Sequence, residues 1–158
     1  MSPGLSDAVG QELLVFTVGQ RFFAIELGQV VQIIDYAKPA IPPRKPFYAE
    51  GVIEFRDHFI SLISLRKWLG LEESGVSAKP VILIIKLGND RCALSVDSVT
   101  RILSQNLEEA TEPPPKVQGV RSENIKGVFN FNGKPLLWID LESLSGLSGQ
   151  DSPIAASR

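Results

Sequence analysis

The sequence predicts a mainly β protein made of two small, mainly antiparallel barrels in tandem. Three observations point there. Gly51–Leu71 aligns without a gap on Gly127–Leu147, and upstream Val15–Gly19 and Val30–Ile34 align on Ile84–Gly88 and Val99–Leu103. Such self-similarity marks a duplicated unit. Within each copy, short β-rich runs alternate with turn signals at regular intervals, as short strands do. Each half also has only roughly 65–75 residues, near the lower limit for an independent core, so the halves should support each other.

The elements follow in order. Residues 1–10 are small and polar and are expected to be a flexible tail. Leu13–Val18 reads as a strand, Gly19 and Gln20 turn the chain, and Arg21–Leu27 returns as a second strand. Val30–Ile34 is the third. A proline-rich loop, Lys38–Pro46, cannot continue a central strand, because proline lacks the backbone donor. The repeated block comes next: strand, tight turn, strand and a short helical stretch. Leu65–Leu69 has helical leucine spacing and Gly70 is its stop.

The second copy repeats this as Val81–Leu87, a turn at Gly88–Asp90, Arg91–Val96 and Val99–Leu103. Its loop contains Pro113–Pro115, and Leu141–Leu144 ends it with Gly146 as the stop. Asn132-Gly133 is a strong type I′ turn signal and aligns on Arg56-Asp57, which places Arg56 on a turn. The expected domain is 11–147, with a first unit at about 13–71, a second at about 80–147, and an exchange of strands between them allowed. The Ser-, Gly- and Ala-rich residues 148–158 read as a second flexible tail.

Composition removes several function classes. A net charge of −2 argues against a general nucleic-acid binder, which needs clustered positive charge. Arg66-Lys67 is the local basic pair, and its plainest reading is a solvated helix face. His58 is the sole histidine, so a multi-histidine metal site is excluded. It reads as an exposed hairpin residue. Cys92 is the sole cysteine, so no intramolecular disulfide forms, and its place in a strand-like run makes it a small buried hydrophobe rather than a nucleophile. Asp97 and Asp140 each follow a β-rich run, where Asp ends strands or caps turns. No phosphate-binding loop, dinucleotide fingerprint or nucleophile elbow is present, so no residue is assigned a catalytic role and no cofactor or metal is expected. No apolar run approaches the ~20 residues of a membrane span. The first residues lack the order of a secretory signal, and a cytoplasmic protein is expected.

One set of residues carries a family resemblance. Gln11–Gly19, Val30-x-x-Ile33, Pro43-x-x-Pro46, Gly51-Val52, Arg56 and Leu65-Arg66 resemble CheW, the adaptor family linking chemoreceptors to the histidine kinase CheA. Val96-Asp97-x-Val99, Ile125-x-Gly127-Val128 and Ile139-Asp140-Leu141 match in the second half. The resemblance implies two five-stranded SH3-like barrels with short helices around a shared apolar interface, no enzymatic activity and no cofactor. It implies two partners, the regulatory domain of a CheA-type kinase and the cytoplasmic tip of a methyl-accepting chemoreceptor, without nucleic acid or membrane insertion. It carries binding roles onto Val30, Ile33, Gly51, Val52 and Arg56. For Val30, Ile33 and Val52, core packing is the competing reading. For Arg56, it is a solvated turn residue paired with Glu54.

The chain also departs from the family pattern. Glu54-Phe55-Arg56-Asp57 stands where Asn-Leu-Arg-Gly is usual, Ser61 and Ser64 stand for Pro and Asp, and Gln32 stands for Glu. These departures motivate an alternative: a divergent regulator that binds CheA or another signalling protein without receptor coupling.

Overall fold

The computed structural model describes residues 11–71, 79–113, 116–117 and 120–144. The two tails, Gly146 as a helix stop, and Pro114 and Pro115 of the second loop lie outside the described residues. The first half forms β1 (Gln11–Val18), β2 (Arg21–Glu26), β3 (Val30–Asp35), β4 (Ala49–Phe55), β5 (His58–Ser64) and the helix α1 (Leu65–Leu69). The second half forms β6 (Val81–Leu87), β7 (Asp90–Val96), β8 (Ser98–Gln105), β9 (Lys116–Val117), β10 (Val120–Arg121), β11 (Ile125–Phe131) and β12 (Lys134–Ile139). Leu141–Leu144, matched to α1 by sequence, forms a 3-10 turn instead of an α-helix.

Alternation builds the strands. In β4, Ala49, Gly51, Ile53 and Phe55 face inward, and in β11 Ile125, Gly127, Phe129 and Phe131 do so at the aligned positions. The duplication therefore extends to which residues are buried.

The strands assemble into two five-stranded sheets, ordered β11-β12-β2-β1-β8 and β3-β6-β7-β5-β4, and β9 pairs with β10. Both five-stranded sheets mix the two halves. Hairpin β1–β2 from the first half sits among strands of the second, and hairpin β6–β7 from the second sits among strands of the first. The junctions are parallel, β12 on β2 and β5 on β7, while the other pairings are antiparallel. A single copy would therefore leave each sheet without a hairpin.

Each sheet curls and closes at the same place. The segment following β3 pairs with β4 through Ala40 and Val52, which exchange backbone hydrogen bonds of 2.9 and 2.8 Å. In the other sheet Thr111 and Val128 do the same at 3.0 and 2.9 Å. Both closures cross a glycine. A Cβ on Gly51 would lie 2.3 Å from the Ala40 carbonyl oxygen, and one on Gly127 would lie 2.7 Å from the Ala110 Cβ.

The core has three parts. Leu13, Val15, Phe129 and Leu136 belong to a cluster on one sheet, and Ile53, Leu62, Ile82 and Ile84 to one on the other. A larger cluster joins them, with Phe16 and Phe23 stacked at 6.1 Å alongside Leu65, Leu83, Leu94 and Leu137. Burying each such side chain contributes roughly 1.5–3 kcal/mol.

Candidate functional site

The residues singled out by sequence fall into two groups. Val30 is half-buried on β3, and Val52 is half-buried on β4; both pack partly against the joining cluster. Gly51 is buried beneath the Ala40 carbonyl with φ +148°, where any side chain is strained, so its position is dictated by barrel closure. Ile33 and Arg56 are different. Ile33 is 42% exposed on the outer strand of its sheet, an unusual setting for a large aliphatic side chain.

Arg56 stands on the β4–β5 turn at φ 52°, followed by Asp57 at φ 66°. Both are left-handed positions, which Asp tolerates better than most residues though less well than glycine, so Arg56 is the misfit. The guanidinium lies 4.8 Å from the centre of the Phe55 ring. Its Nη2 donates to Oε1 of Gln32 on β3 at 3.0 Å, so the partner the structure gives it is Gln32. Glu54 is exposed on β4. A neutral amide acceptor leaves the positive charge of Arg56 uncompensated by that contact, and the exposed fork has further N–H groups to offer a partner. The Arg56–Gln32 contact thus links the β4–β5 turn to β3, a strand on which Ile33 is also exposed.

The alignment that pairs Val30 with Val99 also pairs Ile33 with Ile102. Val99 packs partly against the same joining cluster as Val30, and Ile102 is 50% exposed on β8, the end strand of the other sheet. Sequence reasoning left Ile102 out, although the repeat itself carried the signal.

Arg66 requires a correction. The solvated-face reading of Arg66-Lys67 fails for Arg66, which is 6% exposed. Its Nη2 reaches both carboxylate oxygens of Asp97, at 3.0 and 2.8 Å. Asp97 Oδ2 also accepts from the backbone N–H of Gly19 at 2.7 Å. The ion pair thereby ties α1 and the end of β7 to the β1–β2 turn, and the buried charges have the partners they need. Asp97 acts as the strand-ending, turn-capping residue expected of it. Asp140 likewise accepts from the N–H of Glu142 at 3.1 Å.

Ser64 explains one departure from the family pattern. Its hydroxyl accepts from the Lys67 N–H at 3.3 Å and caps α1, the task an Asp performs at an N-cap. Glu50, unmarked by the sequence reading, accepts from Tyr36 and Ser95, each at 2.5 Å, and joins β4 to β7 and to the residue after β3 across a cleft of about 400 Å³. Burial first, then the hydrogen bond and negative charge of Glu50, push the Tyr36 phenol up to about 12. Burial pushes the Cys92 thiol up to about 12 as well, which keeps it protonated and inert at neutral pH. His58 is exposed on its hairpin.

Fold and surface together define a twin-barrel domain whose halves interlock and whose outer strands expose apolar side chains beside a charged turn. The chain belongs to the CheW-like domain family, which matches residues 12–147. It is 24% identical to the chemotaxis protein CheW of Treponema pallidum, over 84% of this chain and 81% of that one. It is 25% identical to the chemotaxis protein CheW of Klebsiella aerogenes, over 87% and 83%. The scaffolding protein TtCheW from Thermoanaerobacter tengcongensis shares the fold, with a TM-score of 0.79, 23% identity and coverage of 85% and 87%. Among the described residues, no helix is long and apolar enough to cross a membrane.

Proposed function

We propose that this chain is a non-catalytic cytoplasmic adaptor that couples the cytoplasmic tip of a chemoreceptor to the regulatory domain of a CheA-type histidine kinase. The observation that carries this reading is the family match over nearly the whole interlocked domain, residues 12–147. Two exposed side chains support it. Ile33 supplies apolar area, and Arg56 supplies a guanidinium able to hold a helical partner by several directed hydrogen bonds. Calorimetric titration with the cognate kinase regulatory domain and with a receptor-tip fragment tests the proposal. Binding to both is expected, with Arg56→Ala weakening the receptor arm at an unchanged melting temperature. No binding to either at tens of micromolar would refute it.

A second reading has one observation in its favour. Glu54 and Asp57 are exposed on either side of Arg56, and a neutral Gln32 stands where the family usually has Glu. Such a chain could bind the kinase without engaging receptors. It would then suppress receptor-coupled kinase activity, whereas the adaptor supports it.

A further inference from the structure

The cleft that Glu50 lines, about 400 Å³ in volume, has walls whose polar groups are nearly all engaged within the protein. Tyr36 and Ser95 donate to Glu50, and Arg66 donates to Asp97. Ser64 accepts from the Lys67 N–H. Two groups are left over. Lys45, from the segment between β3 and β4, and Lys67, from α1, both line the cleft and are half-buried. Neither ammonium has an ion-pair or hydrogen-bond partner among the described residues.

Folding alone does not favour this arrangement. An ammonium drawn partly out of water gives up hydration, and a paired charge is what returns that loss. On the walls of the cleft Lys45, Arg66 and Lys67 stand against Glu50 and Asp97, which leaves it net positive in a protein of net charge −2. The second copy does not carry the same charges. By the repeat alignment Ser143 stands for Lys67 and Lys126 for Glu50, so closing a barrel does not require them.

The remaining donors select among anions. The Arg66 guanidinium, which would grip a planar carboxylate by two parallel bonds, is committed to Asp97. What is left is two point charges on flexible stems, which suit a compact, multiply charged phosphate. Val18, Ile41, Ala49, Pro80 and Val96 supply apolar wall in the same cleft. Its volume lies within the range of small-molecule sites, which pair an apolar lining with a few placed polar groups.

We propose that this cleft binds a small, free phosphomonoester, with its phosphate held by the Lys45 and Lys67 ammoniums and its carbon chain on the apolar wall. Because the two lysines come from different elements, the bound phosphate fastens the segment between β3 and β4 to α1. The site is independent of the adaptor reading and stands whether or not the chain binds a kinase or a receptor.

The test is an NMR titration of the full chain with n-butyl phosphate and, separately, with inorganic phosphate at matched ionic strength. Saturable shifts at the amides of Lys45 and of Ser64 to Lys67 are expected, with the ester bound at least about threefold more tightly. Lys45→Gln and Lys67→Gln should each weaken that binding about fivefold. Each removes a charge without a partner in the protein, so melting temperatures without ligand should not fall. Lys38→Gln, at an exposed position of the same segment that does not line the cleft, should change nothing. A linear drift without saturation would overturn the site. Equal weakening by Lys38→Gln would do the same, since the ammoniums would then act as ordinary solvated surface charge. Inorganic phosphate bound as tightly as the ester would overturn the assignment to an ester. Vesicles containing phosphatidic acid, which carries the same group on a lipid, form a third arm. Retention of the chain on them without binding of n-butyl phosphate would overturn the free ligand in favour of a headgroup.

Discussion

At the turn between β4 and β5 stand Arg56 and Asp57; at the matching turn between β11 and β12 stand Asn132 and Gly133. All four have positive φ, at 52°, 66°, 53° and 82°. The second copy uses the pair best suited to that backbone; in the first, Asp57 is tolerated and Arg56 is not suited. Ten residues after Arg56 the contrast recurs. Arg66 is buried against Asp97, whereas its counterpart Glu142 is exposed on a 3-10 turn. The closures, by contrast, agree: Ala40 with Val52 and Thr111 with Val128, each crossing a glycine. Features that both barrels need to close are shared. Features found in one copy concern either the joint between the halves or a surface the other copy does not present.

The comparison can be broken at several points. The largest effect is expected from Gly51→Ala, which drives a Cβ into the Ala40 carbonyl at a positive φ. It should cost about 4 kcal/mol in urea unfolding. Gly127→Ala meets a side chain first and should cost about half as much. Equal costs would mean that the two closures are equally tight.

Next is Asp97→Ala. It removes the carboxylate that two Arg66 contacts share, where the Arg66 side chain is only 7% exposed, and should cost about 3 kcal/mol, against a smaller loss for Glu142→Ala. A comparable loss from Glu142→Ala would remove the asymmetry. Transplanting the second turn into the first, Arg56→Asn with Asp57→Gly, should raise stability by about 1 kcal/mol and weaken receptor coupling. Stabilisation without loss of coupling would take Arg56 out of the site.

The smallest effect concerns pH. A phenol whose pKa is raised on folding stabilises the native state below its unfolded value, near 10, and loses that contribution as pH rises toward about 12. Stability should therefore fall across that window, and less steeply in Tyr36→Phe. Superimposable curves for the two proteins would dismiss the Tyr36–Glu50 contact as a contributor.

Much of this architecture was legible in the sequence because duplication exposes itself twice. The matched turns, the paired glycines and the inward alternation of β4 and β11 could all be read from aligned residues. The pairing of strands could not, since likeness between β2 and β7 does not say that each lies beside a strand of the other copy. Arg66 was misread because a short helix with adjacent cations resembles a solvated face, and its carboxylate lies far away along the chain on β7. Gln32 was visible as a departure but not as the acceptor for Arg56, a contact made only when the sheet curls. Ile102 was legible and overlooked. Its equivalence to Ile33 follows from the same alignment that defined the repeat.

Binding to two partners at once is the claim on which the functional account stands. Kinase autophosphorylation in assemblies reconstituted from receptor fragment, kinase and this protein measures it most directly. The account predicts receptor-dependent activity that appears on adding the protein and is diminished with Arg56→Ala. Activity that falls as the protein is added, with the kinase domain bound, would contradict it.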